Sequence, residues 1–119
     1  MRNFRNLEVW KKGIVLVKDI YSLSATLPDN EKFGLISQMQ RCSVSIPSNI
    51  AEGSSRNSEV EFKRFLEIAI GSSFELETQL LLCIELGYLP VENTQKILNE
   101  LESLQKQLNS LITKIAKNK

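Results

Sequence analysis

The chain has 119 residues, 42% hydrophobic and 24% charged, with a net charge of +1. This is ordinary for one domain: long enough to bury a core, yet small enough for a helical bundle to gain stability by associating. Histidine is absent, which removes the commonest general base and metal ligand, and the charge carries no global pull toward nucleic acid or anionic membrane.

The opening stretch MRNFRN is polar, and with no long apolar region behind it does not read as a signal peptide. Asn6 is placed to cap a helix over about 7–24. Trp10, Ile14, Val17 and Tyr21 form one apolar stripe on it, and Val9, Leu16, Ile20 and Leu23 form a second beside the first. Two adjacent stripes make a face wider than one partner helix needs. Gly13 lies within that face and permits close helix contact, at a propensity cost of about 1 kcal/mol.

Leu27-Pro28-Asp29-Asn30 breaks the chain, and Asp29 or Asn30 is placed to cap a second helix over about 31–52. Leu35, Met39, Cys42, Ile46 and Ile50 share one face of it. Pro47 falls inside; it removes the hydrogen bond to the Ser43 carbonyl and predicts a kink or an early end. Ser43, Ser45 and Ser48 are placed to satisfy freed backbone groups, and Gly53 to terminate the helix as its C′ residue.

Ser58 with Glu61 forms a capping box that starts a third helix over about 58–86. Phe62, Leu66, Ala69, Ser73, Leu76, Leu80 and Cys83 recur in heptad steps along it. Phe65, Ile70, Phe74 and Leu81 lie off that seam, and Gly71, Ser72 and Ser73 are small enough for another helix to approach. Gly87 ends the helix and Pro90 opens the next, over about 91–116. Ile97, Leu101, Leu104, Leu108, Leu111 and Ile115 give it a heptad repeat, widened by Leu98 and Ile112. The short connections predict a single all-α domain over 1–119, an antiparallel up-down-up-down four-helix bundle with its second helix kinked at Pro47. Cys42 and Cys83, far apart in apolar runs, read as reduced core thiols. No apolar run approaches a membrane span, so the expected location is the cytoplasm, with no membrane partner.

One stretch departs from ordinary core helix. Gln38-Met39-Gln40-Arg41-Cys42, followed by Ser45-Ile46-Pro47-Ser48-Asn49-Ile50-Ala51-Glu52-Gly53 and Arg56, resembles the four-helix-bundle proteins encoded in intervening sequences of bacterial large-subunit ribosomal RNA genes. The accessory variability determinant of diversity-generating retroelements belongs to the same superfamily. Leu7 to Trp10, Phe33-Gly34-Leu35, Ile68-Ala69, Gly71-Ser72, Glu75-Leu76-Glu77 and Leu86-Gly87-Tyr88-Leu89 extend the resemblance over nearly the whole chain. The resemblance implies a ring-like homopentamer and, for the retroelement branch, binding to a reverse transcriptase and to nucleic acid.

Gln38, Arg41, Ser45, Asn49 and Glu52 make a polar stripe one position before the apolar one. Glu77 has only Ser73, Phe74, Leu80 and Leu81 as one-turn neighbours, so its carboxylate needs a partner from elsewhere, and Arg41 fits as a bidentate donor. One reading joins Arg41, Asn49, Glu52, Glu75 and Glu77 in a buried polar network at a helix–helix or subunit seam. The other is a set of solvated charges with local pairs such as Glu52 with Arg56. Glu75 and Glu77 point in different directions on a helix, and no nucleophile–base pair, phosphate loop or Glu-x-x-His motif accompanies them. The expectation is therefore a non-enzyme without metal, cofactor or small-molecule substrate.

In such a bundle one end gathers Arg2, Arg5, Lys11, Lys12, Arg56, Lys63, Arg64, Lys114, Lys117 and Lys119. Against these ten stand Glu8, Glu52, Glu59, Glu61 and Glu67, a net +5 that leaves −4 for the rest of the chain. A ring multiplies that end and offers it to phosphate; alternatively, the lysines only keep flexible ends soluble. Two functions follow as expectations. One is a non-enzymatic homo-oligomeric scaffold or adaptor. The other is an accessory factor that binds RNA or DNA, or serves a nucleic-acid enzyme.

Overall fold

Local side-chain and backbone hydrogen bonds mark several of the helix ends. The computed structural model describes residues 2–117, and among them the regular structure is entirely helical: α1 (Glu8–Ser24), α2 (Leu35–Ser54), α3 (Glu59–Glu85) and α4 (Val91–Lys117), with short 3₁₀ turns at Phe4–Asn6 and Asp29–Glu31. Asn6 does not cap α1. It closes the first 3₁₀ turn, where Asn3 Oδ1 accepts from the Arg5 N–H at 3.2 Å, and Leu7 precedes α1 with no side-chain cap. The expected start of the second helix at residue 31 shifts to Leu35. Asp29 and Asn30 are taken up in the second 3₁₀ turn, and Glu31 Oε1 accepts from the Leu35 N–H at 3.2 Å.

Pro47 neither ends α2 nor shortens it; the helix runs on to Ser54. The proline is buried against α1, where a β-carbon on Gly13 would stand 3.2 Å from Pro47 Cβ. Gly13 is therefore what lets the ring sit there. Gly53 is not a C′ residue: it lies within α2, and a β-carbon there would meet Phe65 Cβ at 2.6 Å. Its lack of a side chain serves close packing rather than turning. The turn residue is Gly87, at φ +78°, where Tyr88 N–H donates to Cys83 O at 2.8 Å and Gly87 N–H to Ile84 O at 3.0 Å. Those paired bonds are a Schellman motif and satisfy the last carbonyls of α3. The Tyr88 hydroxyl donates to Glu31 Oε2 at 3.0 Å, tying this turn to the entry of α2. Ser58 caps α3, its Oγ accepting from the Glu61 N–H at 3.2 Å.

The periodic positions form the core. Phe62, Leu66, Ala69, Ser73, Leu76, Leu80 and Cys83 of α3 are all buried, as are Ile97, Leu101, Leu104, Leu108 and Ile115 of α4. Thr94 extends the α4 repeat one turn earlier, its hydroxyl bonded to Pro90 O at 2.7 Å. Met39, Cys42, Ile46 and Ile50 complete the centre from α2, and Val9, Leu16 and Ile20 from α1. Contacts of α2 with α1 and with α3 run in opposite order along the chain: Gly13 meets Pro47 while Ser24 meets Gln40, and Met39 meets Cys83 while Gly53 meets Phe62. The result is a rod of 46 × 23 × 19 Å. No helix among the described residues is long and apolar enough to cross a membrane.

Candidate functional site

The polar stripe of α2 divides among three surroundings. Ser45 and Asn49 face α3. Asn49 Nδ2 donates to Ser45 O at 2.8 Å and to Ser45 Oγ at 3.0 Å, and Ser45 Oγ lies 2.9 Å from Ser72 Oγ. Cys42 Sγ donates to Ser72 O at 3.0 Å. These bonds make a polar thread through the α2–α3 seam. Cys42 and Ser72 complete it, though sequence reasoning assigned the first to the core and the second to close packing. Serine beside a mid-helix glycine was the available signal.

Burial first, and the Glu75 carboxylate second, push the Cys42 thiol up to about 12, so it stays protonated. Glu75 itself is exposed. Glu52 pairs with Arg56 at 3.1 Å, the local pair of the second reading, and Gln38 is exposed.

Arg41 and Glu77 do not pair within the chain. Glu77 Oε1 accepts instead from Gln105 Nε2 of α4 at 2.9 Å, while Arg41 is exposed on α2 and forms no ion pair among the described residues. The reason is angular. Ser72, Glu75 and the buried Gln79 lie on the flank of α3 toward α2, whereas Glu77, two residues from Glu75, turns to the α4 side. The seven stripe and seam residues therefore do not converge within one chain, and Glu75 and Glu77 share no site.

At the expected basic end, many cations already have partners. Arg2 makes a bidentate pair with Glu59 at 2.6 and 2.9 Å, stacks 4.4 Å from the Phe62 ring centre, and donates its backbone N–H to Ser54 O at 2.9 Å. The opening segment is thereby strapped across the α2–α3 connection. The guanidinium holds the Glu59 carboxyl below its usual range, so the pair is present above that range and released as pH falls through the lowered value. Lys11 pairs with Glu8 at 3.4 Å, Arg64 approaches Glu61 at 3.9 Å, and Arg56 lies 5.0 Å from the Phe65 ring centre. Arg5 lies 4.4 Å from the Phe4 ring centre, and Phe4 meets Trp10 edge to face. Lys12 donates to Ser103 Oγ at 3.1 Å. Lys63, Lys114 and Lys117 have no carboxylate partner within 4.0 Å among the described residues, and Lys119 lies outside them.

Apolar side chains also remain outside. The α1 stripe of Trp10, Ile14, Val17 and Tyr21 is only partly covered, with Tyr21 45% exposed. On α3, Phe74 is 51% exposed, and Leu81, Leu82 and Leu86 are exposed with it. No three potential metal ligands cluster among the described residues.

No curated protein matches the chain. A solved crystal structure from Bacteroides thetaiotaomicron VPI-5482, a protein of unknown function from the S23 ribosomal protein family, is similar at 30% identity and a TM-score of 0.82, covering 88% of this chain and 95% of that one. Residues 5–110 match the profile of the 23S rRNA-intervening sequence protein family. With that match spanning almost all of α1 to α4, this chain belongs to the 23S rRNA-intervening sequence protein family.

Proposed function

We propose that the protein is a non-enzymatic homo-oligomeric scaffold or adaptor, assembled through the apolar rows that its own bundle leaves uncovered. One observation carries this reading: α1 and α3 each fill the core with one face and still expose large apolar side chains on another, Ile14 and Tyr21 on α1 and Phe74, Leu81, Leu82 and Leu86 on α3. Exposed patches of this kind mark association surfaces. The ring-like homopentamer implied by the family resemblance uses two different faces of each chain, as a cyclic assembly must. Gln38, Arg41 and Glu75, exposed beside the α2–α3 seam, supply polar groups for such a contact.

Sedimentation equilibrium of the purified protein tests this. The expected mass is five chains, falling toward one in Ile14→Glu or Phe74→Glu while the helical circular dichroism persists. A monomeric wild-type protein at micromolar concentration overturns the reading.

The alternative is a nucleic-acid accessory factor working through the basic end. The family's name refers to a ribosomal RNA context, and Lys63, Lys114 and Lys117 have no near carboxylate partner among the described residues. Four of the ten candidate cations, Arg2, Lys11, Arg56 and Arg64, are instead neutralised locally, which is why we rank the scaffold reading first. A titration with structured RNA and with single- and double-stranded DNA at two salt concentrations separates them. Binding that weakens steeply with salt supports the accessory factor.

A further inference from the structure

The first and last helices leave a slot between them. Its floor is formed by Leu16 and Leu104, both buried in the core, and its wall by Val15, which is half open to solvent. The volume is about 330 Å³ and the lining is mostly apolar. That is the lower end of the range that holds small organic ligands, and such sites combine apolar walls with a few converging polar groups. Here the polar groups are Lys11, Lys12 and Ser103.

Lys12 is the informative one. Its side chain is half-buried and its ammonium donates to the Ser103 hydroxyl at 3.1 Å, a neutral acceptor. An ammonium carries three donors, so two remain for another acceptor. Neighbouring Lys11 is engaged by Glu8 at 3.4 Å. The slot also contains one carboxylate, Glu100, three residues before Ser103 on α4 and hence about 4.5 Å along the axis. With Lys11 held by Glu8, the slot offers one ammonium, the half-buried Lys12, against one carboxylate, Glu100, which is exposed to solvent. The more enclosed charge is the positive one, and it favours an anionic head group.

A second cleft between the same two helices serves as an internal contrast. It holds about 360 Å³, but Asp19 and Glu92 outnumber Lys96 in its lining. Similar space with a net negative lining gives no reason for an anion to settle there.

We propose that the Lys12–Ser103 slot binds an aliphatic carboxylate of medium chain length. The tail lies on Leu16, Leu104 and Val15, and the carboxylate accepts hydrogen bonds from the Lys12 ammonium. This is a ligand site with no reaction attached, and it stands independently of the assembly reading.

The test is a titration of the full-length protein, in its native assembly, with octanoate, followed by methyl NMR, with octylamine as the cationic counterpart. Octanoate is expected to saturate one site per chain, shifting the Val15 and Leu104 methyls, while octylamine leaves them in place. Lys12→Met keeps the aliphatic stem and removes the charge; it is expected to weaken binding about tenfold, the loss of one charge-assisted hydrogen bond. Val15→Trp, a change on the open wall, is expected to fill the slot and abolish binding. The proposal fails if octanoate does not saturate, if octylamine shifts the same methyls equally, or if Lys12→Met binds as the wild type does.

Discussion

The α2–α3 seam and the α1–α4 seam solve the same packing problem in opposite ways. At the first, Gly53 admits the Phe62 and Phe65 side chains, Ser73 is buried without a large side chain, and a hydrogen-bonded thread links Asn49, Ser45 and Ser72 between the helices. At the second, the side chains facing across are long or branched (Lys12, Val15, Glu100), and a slot remains above Leu16 and Leu104. Small residues let backbones approach and exclude solvent, whereas long flexible ones span a gap without filling it. The lesson is that closeness in this bundle follows side-chain size at the seam.

The largest expected effect concerns reactivity at the closed seam. With the Cys42 thiol pushed up to about 12 from 9.0, its thiolate fraction near neutral pH is roughly a thousandfold lower than for an unperturbed thiol. Alkylation of Cys42 by iodoacetamide is therefore expected to track global unfolding, as read by mass spectrometry across a urea series. Because the folded state holds the proton more tightly, this group's contribution to stability is fully present below pH 9 and lost as pH rises toward 12. Rapid native-state labelling at pH 7 would show the seam to be open.

Phe62 is next. It is buried between Gly53 and the Arg2 guanidinium, and Phe62→Ala is expected to destabilise by about 4 kcal/mol in urea unfolding. A smaller but sharper contrast lies between two glycines. Gly53→Ala forces a β-carbon onto Phe65 and is expected to lose about 2 kcal/mol, while Gly71→Ala, with nothing within 4 Å, is expected to gain about 0.5–1 kcal/mol from helix propensity. Should Gly71→Ala instead destabilise only at concentrations where the protein is oligomeric, Gly71 faces another copy.

Ser45→Ala cuts the thread and is expected to lose about 1 kcal/mol, with Asn49 and Ser72 side-chain resonances shifting together. At the open seam, Val15→Ala is expected to change stability by less than about 0.5 kcal/mol, because its side chain lines a slot already in contact with solvent. Equal losses from Ser45→Ala and Val15→Ala would erase the distinction between the seams.

Much of the fold was legible because helical periodicity is a local signal. The heptads of α3 and α4 name their buried residues almost one for one, and the Ser58 cap and the Gly87 turn stand where their chemistry demands. The misreadings concern helix ends, where residue type alone does not say which side chain caps or what packs against the last turn. Asn6 has a capping side chain, yet the turn before it used Asn3 instead. Gly53 looks like a terminator and is a packing residue. Arg41 and Glu77 are complementary by charge, yet within the chain the turn of α3 brings the carboxylate to Gln105.

The sequence alone determined that four amphipathic helices form, which face of each enters the core, and the family to which the chain is similar, since spacing, caps and motif residues are written along one dimension. Tertiary structure alone decided which helix each polar side chain meets, which cations are neutralised at home, and which seam stays open. Those outcomes depend on helix rotation and on the size of facing side chains, and a rotation of one residue's 100° changes every partner without altering the periodicity that predicted the helix.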